Sequence, residues 1–418
     1  MHGRDLAWTL TIAVAALVWL GALFQATPLT PINGGEDRYD GQFYAAMARD
    51  PWTASPMTRL APFCWRVLSP LAVHQMGMGA VEGFLLLSVA GQWIAALLLW
   101  ALLRRLGVDA PLAAMGVALL LTSFWGPRYA FWSPCHPETV TLVLALALAL
   151  ATVSGGRWTL GVLFAVAALQ REQLMTFALF VWLWLWTHER RRPLRALGLA
   201  ALVALPGVAV LAGLRLTVTP VNPRGLVETM GFYGSLRWGH VIESQGLYVA
   251  RFLAGSLRAL GAVPWLIVLG GPPLWRRLRG ESAWLALALV TWLLVWFAGT
   301  DTERRAFHAF PLLLVPLLVH WRETPLARAT WPVAALAFTV HVVLNLVMVK
   351  VGDPDRHHAS ITETMPDALF LRALGLSAAL WLTLLLGGAA LIRWSRPPTP
   401  GSSGAFPAGE QHRLGDRR

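Results

Sequence analysis

The chain has 418 residues, 56% of them hydrophobic and only 13% charged, with a net charge of +12. A soluble domain carries roughly twice that charged fraction, which excludes an ordinary soluble globular protein. The basic excess is almost all arginine, Lys350 being the only lysine, and it is scattered between apolar stretches. That pattern argues against a nucleic-acid partner and for attraction to the anionic lipid of a bilayer.

Apolar runs recur from end to end and predict an all-α, polytopic membrane protein of about twelve transmembrane helices. The expected spans are about 6–25, 81–103, 109–125, 138–153, 157–170, 173–187, 195–214, 253–274, 282–299, 306–321, 330–350 and 369–392. The first is long for a signal peptide and lacks a clean small-x-small cleavage site, so it reads as an uncleaved helix. Between 138 and 187 the segments are short, and a tilted helix with a re-entrant piece fits the letters equally well. Arginine-rich turns such as Arg104-Arg105, Arg190-Arg191-Arg192 and Arg276-Arg277 fall on every second gap. That bias predicts cytoplasmic termini and long extracytoplasmic segments at about 26–80, 215–252 and 351–368. Residues 1–393 read as one membrane domain. Residues 394–418, rich in Pro, Gly and Ser and then polar, read as a disordered cytoplasmic tail. No repeat of 20–50 residues is visible.

Polar residues gather in the outer gaps. The first holds Glu36, Asp37 and Asp40, followed by Gly41, Phe43 and Tyr44. Asp40 and Tyr44 are four apart and share a helix face, which predicts a short interfacial helix with aromatic rings at headgroup depth. Its acids alternatively just face water. The second gap contains Arg128, Tyr129, His136 and Glu138. Glu138 opens a helix, where dipole stabilisation is the plain explanation for an acid. Arg171 and Glu172 sit between two apolar segments. Being adjacent, they point to different sides, so each needs its own partner. A later junction holds Asp301, Glu303, Arg304, Arg305 and His308, in which Arg304 and Arg305 suit a phosphate or simply form a solvated cluster. Asp353, Asp355, Arg356, His357 and His358 are metal-like in letters but irregular in spacing. Cys64 and Cys135 fall on the same outer side, where they either pair or act as small apolar residues. His341 and Asn345 are an intramembrane polar pair, read as an interhelical contact rather than a relay.

A first helix followed by a long outer loop with Tyr39-Asp40-Gly41-Gln42-Phe43-Tyr44 resembles the bacterial integral-membrane glycosyltransferases of the GT-C superfamily. The short segments around Arg171-Glu172 and the stretch Arg66-Val67-Leu68-Ser69-Pro70 are similar to segments of the same superfamily. The likeness covers roughly residues 1–190. It implies a polyprenyl-phosphate sugar as donor and a catalytic acid at Asp40, or at Asp37. A divalent metal is possible under the resemblance but not required by it.

The residues fit that chemistry. An acceptor hydroxyl needs a base, and a carboxylate partly desolvated at the interface is expected to have a raised pKa. Arg171 and Arg304 would hold the phosphate, with Tyr44, Arg66, Arg128, His136 and Glu172 lining the substrate site. No residue marks a covalent nucleophile, so transfer is expected to invert the anomeric centre. The acceptor would be a lipid, glycan or protein. The competing reading is a transporter or lipid flippase without transferase activity. Against it, no repeat relates the two halves, and the polar groups cluster at one face.

Overall fold

The computed structural model describes residues 3–27, 40–55, 57–221, 226–244, 247–297, 302–347 and 367–395. All regular structure among them is helical, with no strand. Glu36, Asp37, Asp301, Lys350, the acids and histidines of 353–358 and the polar tail lie outside the described residues.

In chain order, α1 (Gly3–Ala26) is followed by the short α2 (Asp40–Arg49) and α3 (Leu68–Gln75), then by α4 (Ala80–Arg105) and α5 (Ala110–Thr122). A wide turn over Phe124–Arg128 leads to the single turn α6 (Tyr129–Trp132). Three short apolar helices come next: α7 (Glu138–Ser154), α8 (Arg157–Gln170) and α9 (Phe177–Thr187). They precede the long α10 (Pro193–Thr217). After it come α11 (Leu226–Glu243), α12 (Leu247–Leu260), α13 (Val263–Leu278) and α14 (Ser282–Trp296). The chain continues through α15 (Thr302–Ala306), α16 (Phe310–Val319), α17 (Thr330–Val342) and α18 (Asp367–Trp394).

Five helical stretches are long and apolar enough to cross a bilayer: 5–26, 80–105, 193–217, 325–345 and 367–394. Two bent pairs, α5 with 124–132 (43°) and α12 with α13 (83°), raise the number to seven among the described residues. The sequence led us to expect twelve. The difference has a physical cause: crossing takes about 20 helical residues, and hydropathy does not see where a helix breaks. The expected span 253–274 is cut at Gly261, whose φ of +57° turns the chain between α12 and α13. It is bent again at Gly271, φ +62°, before Pro272-Pro273. The segments 138–154, 157–170 and 282–296 are shorter apolar helices.

Local rules set the boundaries that matter. Asp109 caps α5 by accepting from the Leu112 N–H at 3.0 Å, with Pro111 in the first turn. Gly155, φ +74°, closes α7 in the left-handed conformation. α4 packs against α1, α5 and α7, and α10 lies along α8 and α9. That last packing depends on Gly207, where a methyl group would come within 2.6 Å of the Phe164 carbonyl oxygen.

The helix breaks expose backbone donors, and α17 satisfies them. His341 Nδ1 accepts from the Ala262 N–H at 3.4 Å, and Asn345 Oδ1 accepts from the Phe124 N–H at 3.0 Å. His341 Nε2 lies 3.0 Å from Ser123 Oγ, which itself donates to the Leu119 carbonyl at 2.9 Å. With Nδ1 accepting, the proton sits on Nε2 and the ring is neutral. The pair is therefore the interhelical contact expected, and its partners are the two interruptions themselves.

One other expectation is corrected and one open alternative is decided. α2 does not lay its rings among headgroups: Tyr44 is 1% exposed, and Phe43 stacks on Phe63 with centroids 4.8 Å apart. Cys64 and Cys135 form no disulfide and are both buried as small apolar residues, Cys64 with Ala61 and Trp65, Cys135 with Tyr44 and Phe84. Burial pushes the Cys64 thiol up to about 11.

Replacing Asn345 with Leu orphans the Phe124 N–H and should destabilise the protein by about 1–3 kcal/mol. Thermal unfolding in detergent checks this, with exposed Thr339→Ala as the reference change; equal effects would remove the capping role. Peptide mass mapping without reductant should recover both cysteines as free thiols.

Candidate active site

Charged side chains from five parts of the chain meet at the end of the bundle where α2 begins. Asp40 is the first residue of α2, where a carboxylate also suits the helix dipole. Its Oδ2 lies 3.5 Å from Arg304 Nη2, and 30% of the Asp40 side chain stays accessible. Arg304, only 4% exposed, also faces Glu138 Oε1 at 3.7 Å and the Tyr129 hydroxyl at 3.5 Å. Its guanidinium sits over the Tyr129 ring, 5.8 Å from the centroid.

Glu138 is the centre of the cluster. Its Oε2 takes a charge-assisted hydrogen bond from Arg171 and faces His308 Nε2 at 3.0 Å. The sequence reading passed over this residue, because an acid opening a helix has a sufficient local explanation. A long-range role leaves no mark in such a context. His308 is likewise an addition, although it is visible in the junction that carries Arg304; Arg305 is expected there, with Arg304, as suited to a phosphate.

Arg171 and Glu172 are adjacent and take different partners, as side-chain geometry required. Arg171 has extended backbone, φ −167° and ψ 126°, between α8 and a short turn over Glu172–Thr176. While Arg171 reaches Glu138, Glu172 turns to Arg66, which donates from Nε to Oε2 at 3.1 Å and makes a second bond to Oε1. Arg66 Nη1 also donates to the Tyr44 hydroxyl at 3.3 Å. The loop is pinned further by Gln170, which accepts from Ser69 Oγ and donates to the Pro137 carbonyl, both at 2.8 Å. His136 Nδ1 lies 3.1 Å from Ser133 Oγ, and its ring is tilted against Tyr129. Arg128 is set over the Phe124 ring, 5.8 Å from its centroid.

Of the expected site residues, the structure thus gathers Asp40, Tyr44, Arg66, His136, Arg171, Glu172 and Arg304 at one end of the fold. Four arginines (66, 171, 304 and 305) stand against three carboxylates (40, 138 and 172). The Arg305 Nε is buried without a hydrogen-bond partner among the described residues. A cluster with cationic excess and an unpaired guanidinium nitrogen is suited to an anion such as phosphate.

The charge state of Asp40 differs from expectation. Burial works to raise its pKa, but Arg304, His136, Arg305 and Arg66 more than offset that and hold the carboxyl below the usual range. The expected rise ignored cations brought from distant parts of the chain. A lowered pKa means the ionised form is favoured, and its contribution to stability is lost only as pH falls through that lowered value. No group of three or more potential metal ligands occurs among the described residues.

Replacing Glu138 with Gln should cost about 3–5 kcal/mol, since it leaves Arg171 buried without its counter-charge and Arg304 with Asp40 alone. Adding Arg171→Gln should recover part of the loss, and the four proteins of that cycle can be compared by thermal unfolding. Strictly additive losses would show that the pair is not coupled.

No family model, curated protein or solved structure matches the chain.

Proposed function

We propose that the protein is a membrane glycosyltransferase that moves a sugar from a polyprenyl-phosphate carrier to an extracytoplasmic acceptor. The observation that carries the reading is the pairing of a part-exposed carboxylate, Asp40, with an arginine cluster at the end of an apolar helical bundle. A lipid-borne substrate approaches from the bilayer and a water-soluble one from outside, and this end of the bundle is where the two would meet. The resemblance of the Asp40 segment and the Arg171-Glu172 pair to the GT-C superfamily supports the same reading.

In this mechanism the acceptor hydroxyl attacks the anomeric carbon in line with the departing phosphate. The new carbon–oxygen bond forms as the bond to the phosphate oxygen breaks, which inverts the centre. The hydroxyl proton passes to Asp40, and the negative charge on the leaving phosphate is taken up by Arg304 and Arg305, with Arg171 behind them. Arg66 and Glu172 fix the first loop against the α8–α9 turn, and Tyr44 and His136 line the sugar side. Asp37, the alternative base, lies outside the described residues.

A carboxylate with a depressed pKa is a weak base. The proposal accounts for this through the substrate: a phosphate bound to Arg304 and Arg305 draws positive charge away from Asp40 and lets its pKa rise. The profile of kcat/KM reports the free enzyme and that of kcat the complex. The acid limb of kcat should therefore lie at higher pH than that of kcat/KM. Coincident limbs would remove the substrate-coupled base.

The primary test is transfer of labelled sugar from a panel of polyprenyl-phosphate sugars in membranes containing the wild type or Asp40→Asn. Transfer should be present in the wild type and fall by about 100-fold or more in the variant. A variant that inserts normally and keeps full activity would remove Asp40 from the chemistry. Flux of labelled lipid across vesicles, without transfer, would favour the flippase reading instead.

A further inference from the structure

At the opposite end of the bundle from the charged cluster lies a polar cavity that sugar transfer would leave unused. α8 runs from Arg157 to Gln170, so at about 1.5 Å per residue the cavity is about 20 Å from Arg171. It has a volume of about 170 Å³ and sits among the ends of α7, α8, α9 and α10. Arg157, Arg191 and Glu189 line its polar side; Leu160, Leu185 and Leu199 line its apolar side. Sites that enclose a whole small ligand run to about 300–1,000 Å³. This one has room for a charged fragment whose remainder lies outside.

Three observations define that fragment. Arg191 uses Nε to hold Glu189 Oε2 at 2.7 Å. Among the described residues no contact engages its two Nη groups, or any nitrogen of Arg157. α8 and α10 begin beside the cavity while α7 and α9 end there, so their terminal dipoles oppose one another and the net positive charge comes from the arginines. Exposed Arg190, Arg192 and Arg195 form a basic rim. The site is therefore built for an anion.

The surroundings identify what carries the anion. Val162, Leu194, Leu197 and Leu202 are exposed along the adjoining faces of α8 and α10. Trp158 is 91% exposed, and Trp182 stacks on Trp186 nearby, as aromatic rings do at the bilayer interface. An anion at interface depth, next to apolar helix faces long enough to reach into a bilayer, comes with acyl chains attached. We infer that this cavity binds the phosphodiester headgroup of an anionic glycerophospholipid, whose chains lie along α8 and α10.

The test uses the full chain purified in detergent, with lipid adducts counted by native mass spectrometry. Phosphatidylglycerol should bind in preference to phosphatidylcholine. Arg157→Gln/Arg191→Gln should lower the phosphatidylglycerol affinity by about tenfold, while Arg276→Gln/Arg279→Gln, which changes the same number of exposed arginines elsewhere, should leave it unchanged. Leu199→Phe fills the cavity without altering charge and should weaken binding too; it decides the matter if the arginine variant fails to fold. Equal losses in both arginine pairs, or an unaffected Leu199→Phe protein, would reduce the effect to general surface charge and overturn the site. Inorganic phosphate alone supplies the second arm. If it stabilises the wild type against heat and displaces the lipid, the ligand is a free anion and the lipid assignment fails.

Discussion

The polar end of this bundle depends on how one carboxylate is shared. Glu138 is buried at the start of a short apolar helix, yet it faces Arg171, Arg304 and His308 from two other segments. Each arginine alone would be expensive to bury, and so would the acid. Together they satisfy one another, and the chain segments that deliver them are held in register. Asp40 benefits at second hand. Arg304 is positioned by Glu138 and Tyr129, and that positioned cation keeps Asp40 ionised where its side chain is only partly wet.

Bringing those segments together requires helices that stop short, and stopping inside an apolar bundle leaves backbone groups without partners. His341 and Asn345 resolve this from a neighbouring helix, serving the break after α5 and the break between α12 and α13. Gly261 is the complementary device: its left-handed backbone makes the turn, and a side chain there would collide with the His341 ring. The fold therefore sets His341 and Asn345 against the interruptions that give the charged cluster its shape.

The sequence carried the composition of the cluster better than its wiring. Asp40, Arg66 and the Arg171-Glu172 pair stood out because charges flanked by aromatics and apolar runs are costly without partners. The prediction that Arg171 and Glu172 take separate partners needed only side-chain direction. Glu138 was missed because a helix-opening acid already has a local reason to exist. The pKa of Asp40 went the wrong way because burial can be guessed from a neighbourhood, whereas Arg304, the foremost cation that overrules it, arrives from 264 positions away. The count of long apolar helices among the described residues is lower than the count of apolar runs for a related reason: apolar content is additive along the chain, and a break at one glycine is not.

The Arg171-Glu172 dipeptide ties two charged networks to a single peptide unit. One side chain pulls toward Glu138 and the α15 junction, the other toward Arg66 and the first loop. Because the backbone at Arg171 is extended, the two side chains leave the chain on opposite sides. One peptide unit thus anchors both walls of the cluster, and a substitution that displaces it disturbs a partner in each.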